Sequence, residues 1–229
     1  MREFRLGPVR IEEKRDVWKG KKLFIDLDGT LVEAKEREKG SAIVPGAPSV
    51  TLREFGELIT YDIHEVSRDA GEVVRFLRSR FAMPFITSIA ERDYAESVLK
   101  AARLADDFDG IYSFEDFAGG SMSVARKDYR IPLADIGERE PLANCVAIGN
   151  EPSKDVSLEP AGMVTAIVKV GTSFREVAAV LEILLEIGDS NFAAGFDKAV
   201  SEGYLACGAV LSREYGGEAA RVIYFDRTA

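Results

Sequence analysis

The sequence predicts a doubly wound, Rossmann-like α/β protein built on a parallel sheet, and three observations lead there. Five short apolar runs lack the polar alternation of half-exposed strands, which is how strands read when both faces of a parallel sheet are covered. Amphipathic helical stretches separate several of these runs. A chain of 229 residues, 46% of them hydrophobic, is also long enough to bury one substantial core.

The elements follow in order. Residues 22–28 contain Leu23-Phe24-Ile25 and stop at Gly29, the strongest strand signal in the chain. Further strands are expected at 84–87, 110–114, 145–148 and 164–170. Helices are expected over 67–80, with Val73, Val74, Phe76 and Leu77 on one side, and over 91–105, with Tyr94, Val98, Leu99 and Ala102. Ser88 followed by Glu91 fits a capping box for the second helix. Ser173 followed by Glu176 repeats that signal ahead of the stripe Val177, Val180, Leu181, Leu184 and Leu185. In such an alternation of strands and helices, ligands collect at the carboxyl ends of the strands. Residues 31–66 interrupt the order. With Pro45, Gly46, Pro48 and Gly56 and a weakly strand-like 58–63, they are expected to form a small folded insertion, leaving 1–30 and 67–229 as the core. The tail from residue 190 is expected to add a helix near 192–205 and a strand at 221–225, at the periphery of the same domain.

Composition excludes several function classes. Lys plus Arg number 30 against 39 Asp plus Glu, a net charge of -9, which opposes nucleic-acid binding by bulk charge. Cys145 and Cys207 lie far apart and the single histidine is His64, so neither a zinc site nor a two-histidine metal set can be assembled. His64 sits in the insertion near Tyr61 and Asp62 and is read as a structural hydrogen-bonding residue rather than a pocket residue. Residues 1–17 lack the apolar core of a secretory signal, and no run approaches the roughly 20 apolar residues of a membrane span. A soluble, cytoplasmic protein with reduced cysteines and no membrane partner is expected.

The chemistry begins where the first strand ends, in Asp26-Leu27-Asp28-Gly29-Thr30. Two carboxylates two residues apart at the mouth of a buried strand are costly unless a cation sits with them, and magnesium meets that need. One carboxylate can then act as nucleophile while the second transfers protons, and Gly29 permits the turn between them and the rest of the chain.

This segment is similar to the first motif of the haloacid dehalogenase-like hydrolase superfamily, a hydrophobic run followed by Asp, any residue, Asp, Gly, Thr. The resemblance continues over 22–170. The superfamily's second motif, a hydroxyl residue ending the next core strand, is matched by Thr87 with Ser88 beside it. The third is a cation that neutralises nucleophile and phosphate. Arg126-Lys127-Asp128-Tyr129 resembles the lysine-containing segment of the subgroup of nucleotidases and phosphoglycolate phosphatases, with Lys127 as the cation. The fourth, Gly-Asp, four residues, Asp, keeps its spacing in Gly149-Asn150-Glu151-Pro152-Ser153-Lys154-Asp155, but Asn150 replaces the first acid and Glu151 is the neighbour able to restore the charge.

The resemblance implies a magnesium-dependent phosphatase that passes through an aspartyl-phosphate. Asp26 would be the nucleophile and Asp28 the proton donor and acceptor, with Thr87, Ser88 and Lys127 on the phosphoryl oxygens. Asp26, Asp28, Asn150, Glu151 and Asp155 would surround Mg2+. It further implies a small phosphorylated substrate, with residues 31–66 as a cap over the site. A phosphomutase would use the same motifs, and Asn150 is the feature that speaks for a weakly active or non-catalytic binding or regulatory relative.

Overall fold

The computed structural model describes residues 16–38, 41, 47–54, 57–65, 69–119, 121–157, 160–203 and 209–225. Cys207 and Leu205, and Pro45, Gly46 and Gly56 of the insertion, lie outside the described residues. In chain order the elements are β1 (Lys22–Asp26), β2 (Val32–Glu36), β3 (Ser49–Glu54), β4 (Glu57–Glu65), α1 (Ala70–Ser79), β5 (Met83–Thr87), α2 (Arg92–Ala101) and β6 (Gly110–Tyr112). Three short helices follow, α3 (Phe114–Ala118), α4 (Arg130–Asp135) and α5 (Pro141–Asn144). The chain then continues through β7 (Cys145–Gly149), α6 (Pro152–Asp155), β8 (Val164–Ile167), α7 (Phe174–Ile187), α8 (Phe192–Glu202), β9 (Ala209–Tyr215) and β10 (Glu218–Phe225).

Seven strands form the main sheet in the order β6-β5-β1-β7-β8-β10-β9, parallel except for the edge strand β9, which runs antiparallel to β10. Four of the five apolar runs, β5, β1, β7 and β8, lie inside the sheet with two faces to bury, and the fifth, β6, forms an edge. Leu23, Ile25 and Ile148 turn toward α1 and α7, where Val73, Val74, Leu77, Val177 and Leu181 enclose them. The alternate residues Phe24, Phe85, Cys145 and Ala147 meet Tyr129, Leu133 and Met163 on the opposite face. Burial there pushes the Cys145 thiol up to about 12, so it is a core residue without thiolate chemistry. Among the described residues no helix is long and apolar enough to cross a membrane.

Residues 32–65 hold a second sheet, antiparallel in the order β2-β4-β3, seated on the main core through Ala34, Val50 and Tyr61. Only β4 is legible in sequence, and the reason is physical: VEAKE and SVTLRE are half-exposed strands in which charged residues cover the outer face. His64 is exposed on β4, in register opposite Glu33.

Several boundaries and caps differ from expectation. The third core strand stops at Tyr112, because Ser113 caps α3 in a capping box with Asp116. Ser88 does not cap α2. That helix starts at Arg92 with Glu91 as N-cap, and the Arg92 amide is satisfied instead by the Glu115 carboxylate 23 residues away. Ser173 does cap α7 as expected, and Asp69 binds both the Ser173 hydroxyl and the Phe174 amide, tying α7 to the start of α1. On α1, Val73, Val74 and Leu77 are buried but Phe76 is 52% exposed, lying under the Arg80 guanidinium.

Candidate active site

The strand order reverses across β1, and the chemistry-bearing residues gather at the carboxyl ends of β1 and its neighbours. Parallel register sets Asp26, the last residue of β1, directly beside Thr87, the last residue of β5. Beyond Asp26 the chain turns back at once: the Leu27 carbonyl accepts from the Leu31 and Val32 amides, and the Gly29 amide donates to Val32. Gly29 has φ +78°, and a Cβ there would lie 2.1 Å from the Asn150 side chain, so both conformation and space require glycine.

Lys127 reaches this point from the loop between α3 and α4. Its amide donates to the Lys154 carbonyl and the Arg126 guanidinium to the Ser153 carbonyl, which pins the loop to α6. The Lys127 Nζ then lies 2.5 Å from Asp26 Oδ1 and 2.6 Å from Asp155 Oδ1, with the lysine and Asp155 side chains both 1% exposed. Asp155 ends the single turn of α6 and is fixed through Oδ2, which accepts from the Glu151 amide at 2.9 Å. Its carboxyl lies over Gly149, where a Cβ would fall 2.2 Å from Asp155 Cγ. Gly149→Ala is therefore expected to displace Asp155, lowering stability by about 1–3 kcal/mol and reducing activity together. An unchanged melting temperature would contradict this packing.

The electrostatics follow from burial and pairing. Burial is the largest influence on Asp26 and pushes its carboxyl up from 3.8 to about 6, against the pull of Lys127 and Thr30. Burial also raises Asp28, opposed by a hydrogen bond from Tyr94 and by Lys127. For Lys127, burial works to lower the pKa, but Asp26 and Asp155 outweigh it and hold the ammonium charged.

The structure thus brings together Asp26, Thr87, Lys127 and Asp155, with Asp28 at the rim. Among the described residues neither Thr87 Oγ1 nor the Tyr129 hydroxyl, both buried, meets a partner at normal hydrogen-bond geometry, although the two hydroxyls neighbour each other. A buried hydroxyl without a partner at the end of a site strand is placed to meet an oxygen of a ligand. Ser88 is buried beside it, its Oγ accepting from the Ala90 amide. Asn150 is exposed, packed over Gly29 with Oδ1 3.5 Å from Thr30 Oγ1.

Glu151, expected beside the metal, has its carboxylate turned to its own helix. Its carboxylate does not converge with Asp155 but binds the Lys154 ammonium at 2.7 Å and the Ser153 hydroxyl at 2.8 Å, and those bonds hold its pKa low. Among the described residues no three acidic, histidine or cysteine side chains converge as a metal cluster. Oxygen donors brought together at the site include the carboxylates of Asp26 and Asp155 and, through its contact with Thr30, the Asn150 amide. These are hard oxygen ligands, right in kind for magnesium, with one charge fewer than a three-acid set.

Two residues were missed. Thr30 is buried and its hydroxyl donates to Asp26 Oδ2 at 3.0 Å; its place closing the Asp-x-Asp-Gly-Thr run was the available signal. Tyr94 donates to Asp28 Oδ1 at 2.8 Å, a role hidden by its helical spacing among core residues.

No protein-family model and no curated protein matches the chain. Solved structures are similar to it at low identity. A variant of the fission yeast RNA polymerase II CTD phosphatase Fcp1 bound to beryllium fluoride is 20% identical with TM-score 0.46, covering 59% of this chain and 38% of that one. An uncharacterized protein from Listeria monocytogenes serotype 4b is 14% identical with TM-score 0.45, covering 67% of this chain and 82% of that one. Another Fcp1 structure, described as an essential RNA polymerase II CTD phosphatase, is 16% identical with TM-score 0.45, covering 86% and 57%. This chain therefore spans less than two thirds of the length of either Fcp1 chain.

Proposed function

We propose that the chain is a phosphatase of the haloacid dehalogenase-like superfamily, acting on a small phosphate monoester through an aspartyl-phosphate, with residues 31–66 as its cap. The observation that carries this reading is the buried Asp26–Lys127–Asp155 constellation at the mouth of a parallel sheet. An ionised carboxylate held by a fixed cation, beside the unpartnered hydroxyl of Thr87, is suited to attack phosphorus and to bind the oxygens that surround it.

Asp26 would attack phosphorus and form the acyl-phosphate bond as the bond to the leaving oxygen breaks. Asp28, whose raised pKa favours the protonated form, would give its proton to that oxygen. It would then accept a proton from the water that cleaves the acyl-phosphate, releasing inorganic phosphate and restoring Asp26. Lys127, Thr87 and Ser88 would hold the phosphoryl oxygens. Asp26, Asp155, Asn150 and the Asp28 carbonyl would hold magnesium, which when bound supplies positive charge to the phosphoryl oxygens.

The test is hydrolysis of p-nitrophenyl phosphate with magnesium and with EDTA. Turnover that needs the metal is expected, and none under either condition would contradict the reading. Because Asn150 brings no charge, Asn150→Asp is expected to lower the half-saturating magnesium concentration about tenfold, whereas Glu151→Gln leaves it unchanged. The absence of a three-acid cluster among the described residues favours one other reading, a non-catalytic binding protein, which predicts phosphate binding without turnover.

A further inference from the structure

Asp28 opens onto a cleft of about 780 Å3 between the main sheet and the small one, lined also by Leu52, Arg53, Tyr61, Tyr94 and Phe114. Within it Asp28 does not stand alone. The Tyr94 hydroxyl, from the first turn of α2, donates to Asp28 Oδ1 at 2.8 Å. The Tyr94 ring is met edge-on by Tyr61 of β4, with centroids 5.9 Å apart and planes at 89°. Its backbone is fixed in turn, since Glu115 of α3 holds the Arg92 amide at the start of α2.

We propose that Tyr94 is a positioning residue for Asp28, aiming that carboxyl group at the leaving oxygen, with Tyr61 of the small sheet bracing the Tyr94 ring. This rests on the phosphatase reading above. A carboxyl group that accepts a hydrogen bond at Oδ1 carries its transferable proton on Oδ2, and fixing the first oxygen fixes the direction in which the second delivers the proton. Without the tyrosine hydroxyl, Asp28 would rotate at the edge of an open cleft, and proton delivery would lose the geometry on which it depends.

The consequence is a dependence on the leaving group that a packing role would not produce. An alkyl phosphate expels a strongly basic alkoxide and needs its proton early. A p-nitrophenyl ester expels a stable phenolate and needs it little. In the 229-residue chain with magnesium, Tyr94→Phe keeps the ring against Tyr61 and removes only the hydroxyl. For β-glycerophosphate, kcat/KM is expected to fall about 10- to 100-fold; for p-nitrophenyl phosphate it should fall less than about threefold, with the melting temperature retained. Equal losses on the two substrates, or no loss on either, would overturn the proposal while leaving the phosphatase reading in place. No hydrolysis of either ester by the unaltered protein would overturn both.

Discussion

Lys127→Met is expected to be both severely destabilised and inactive. Lys127 is 3% exposed and is the cation bound to Asp26 and Asp155, themselves 8% and 0% exposed. Methionine matches the length and hydrophobic volume of the stem but leaves two neighbouring buried carboxylates without a counter-ion. Removing one partner of a buried ionic cluster costs about 3–5 kcal/mol. In a chain of 229 residues that corresponds to a melting temperature lower by roughly 6–20 °C. The deficit should shrink on acidification, because the stranded carboxyl groups take up protons and lose the charge that burial penalises. Thermal unfolding of both proteins from pH 4 to pH 8 checks this. A variant as stable as the parent at pH 8 would mean that the lysine does not hold the two acids together.

Asp26→Asn is expected to lower turnover by at least about 10⁴-fold, since it removes the attacking oxygen's charge with almost no change in shape. Its effect on stability should be different in kind. The Asp26 carboxyl titrates near 6 in the folded protein and from 3.8 as its reference, so between those values the native state holds the extra proton. Stability contributed by the protonated form is therefore present at low pH and is lost as pH rises through about 6, a change on the order of 3 kcal/mol. Asparagine has no such titration. The stability of the variant relative to the parent should rise with pH across that window, whatever fixed cost comes from taking one carboxylate away from Lys127. A pH-independent difference would place the Asp26 pKa near its ordinary value and remove burial as the dominant influence on it.

Much of this was legible in the sequence, for an identifiable reason. Core strands with two covered faces leave continuous apolar runs, and Leu23-Phe24-Ile25 serves both core clusters at once. The Asp26 to Thr30 run marked the candidate site because two acids at a strand mouth are costly without a cation. What escaped depended on partners distant in sequence. Ser88 and Glu91 form a valid local capping pattern, yet Glu115 arrives from α3 and takes the Arg92 amide. The Glu151 carboxylate is met by Ser153 and Lys154, two and three residues further on, contacts that the motif spacing does not reveal. Tyr94 shares the helical spacing of Val98 and Leu99, and only the three-dimensional approach of Asp28 distinguishes it from a core residue. The outer strands β2, β3 and β9 carry polar faces, which resemble loop composition until pairing is known.

Covalent phosphorylation of Asp26 can be caught by intact-protein mass spectrometry after a millisecond acid quench. With magnesium and a phosphate monoester in excess, a fraction of the protein is expected to be heavier by one phosphoryl group. The added group should be removed by hydroxylamine, mapped by peptide analysis to Asp26, and absent from Asp26→Asn. Steady turnover with no hydroxylamine-labile phosphoryl group on Asp26 at any quench time would contradict it.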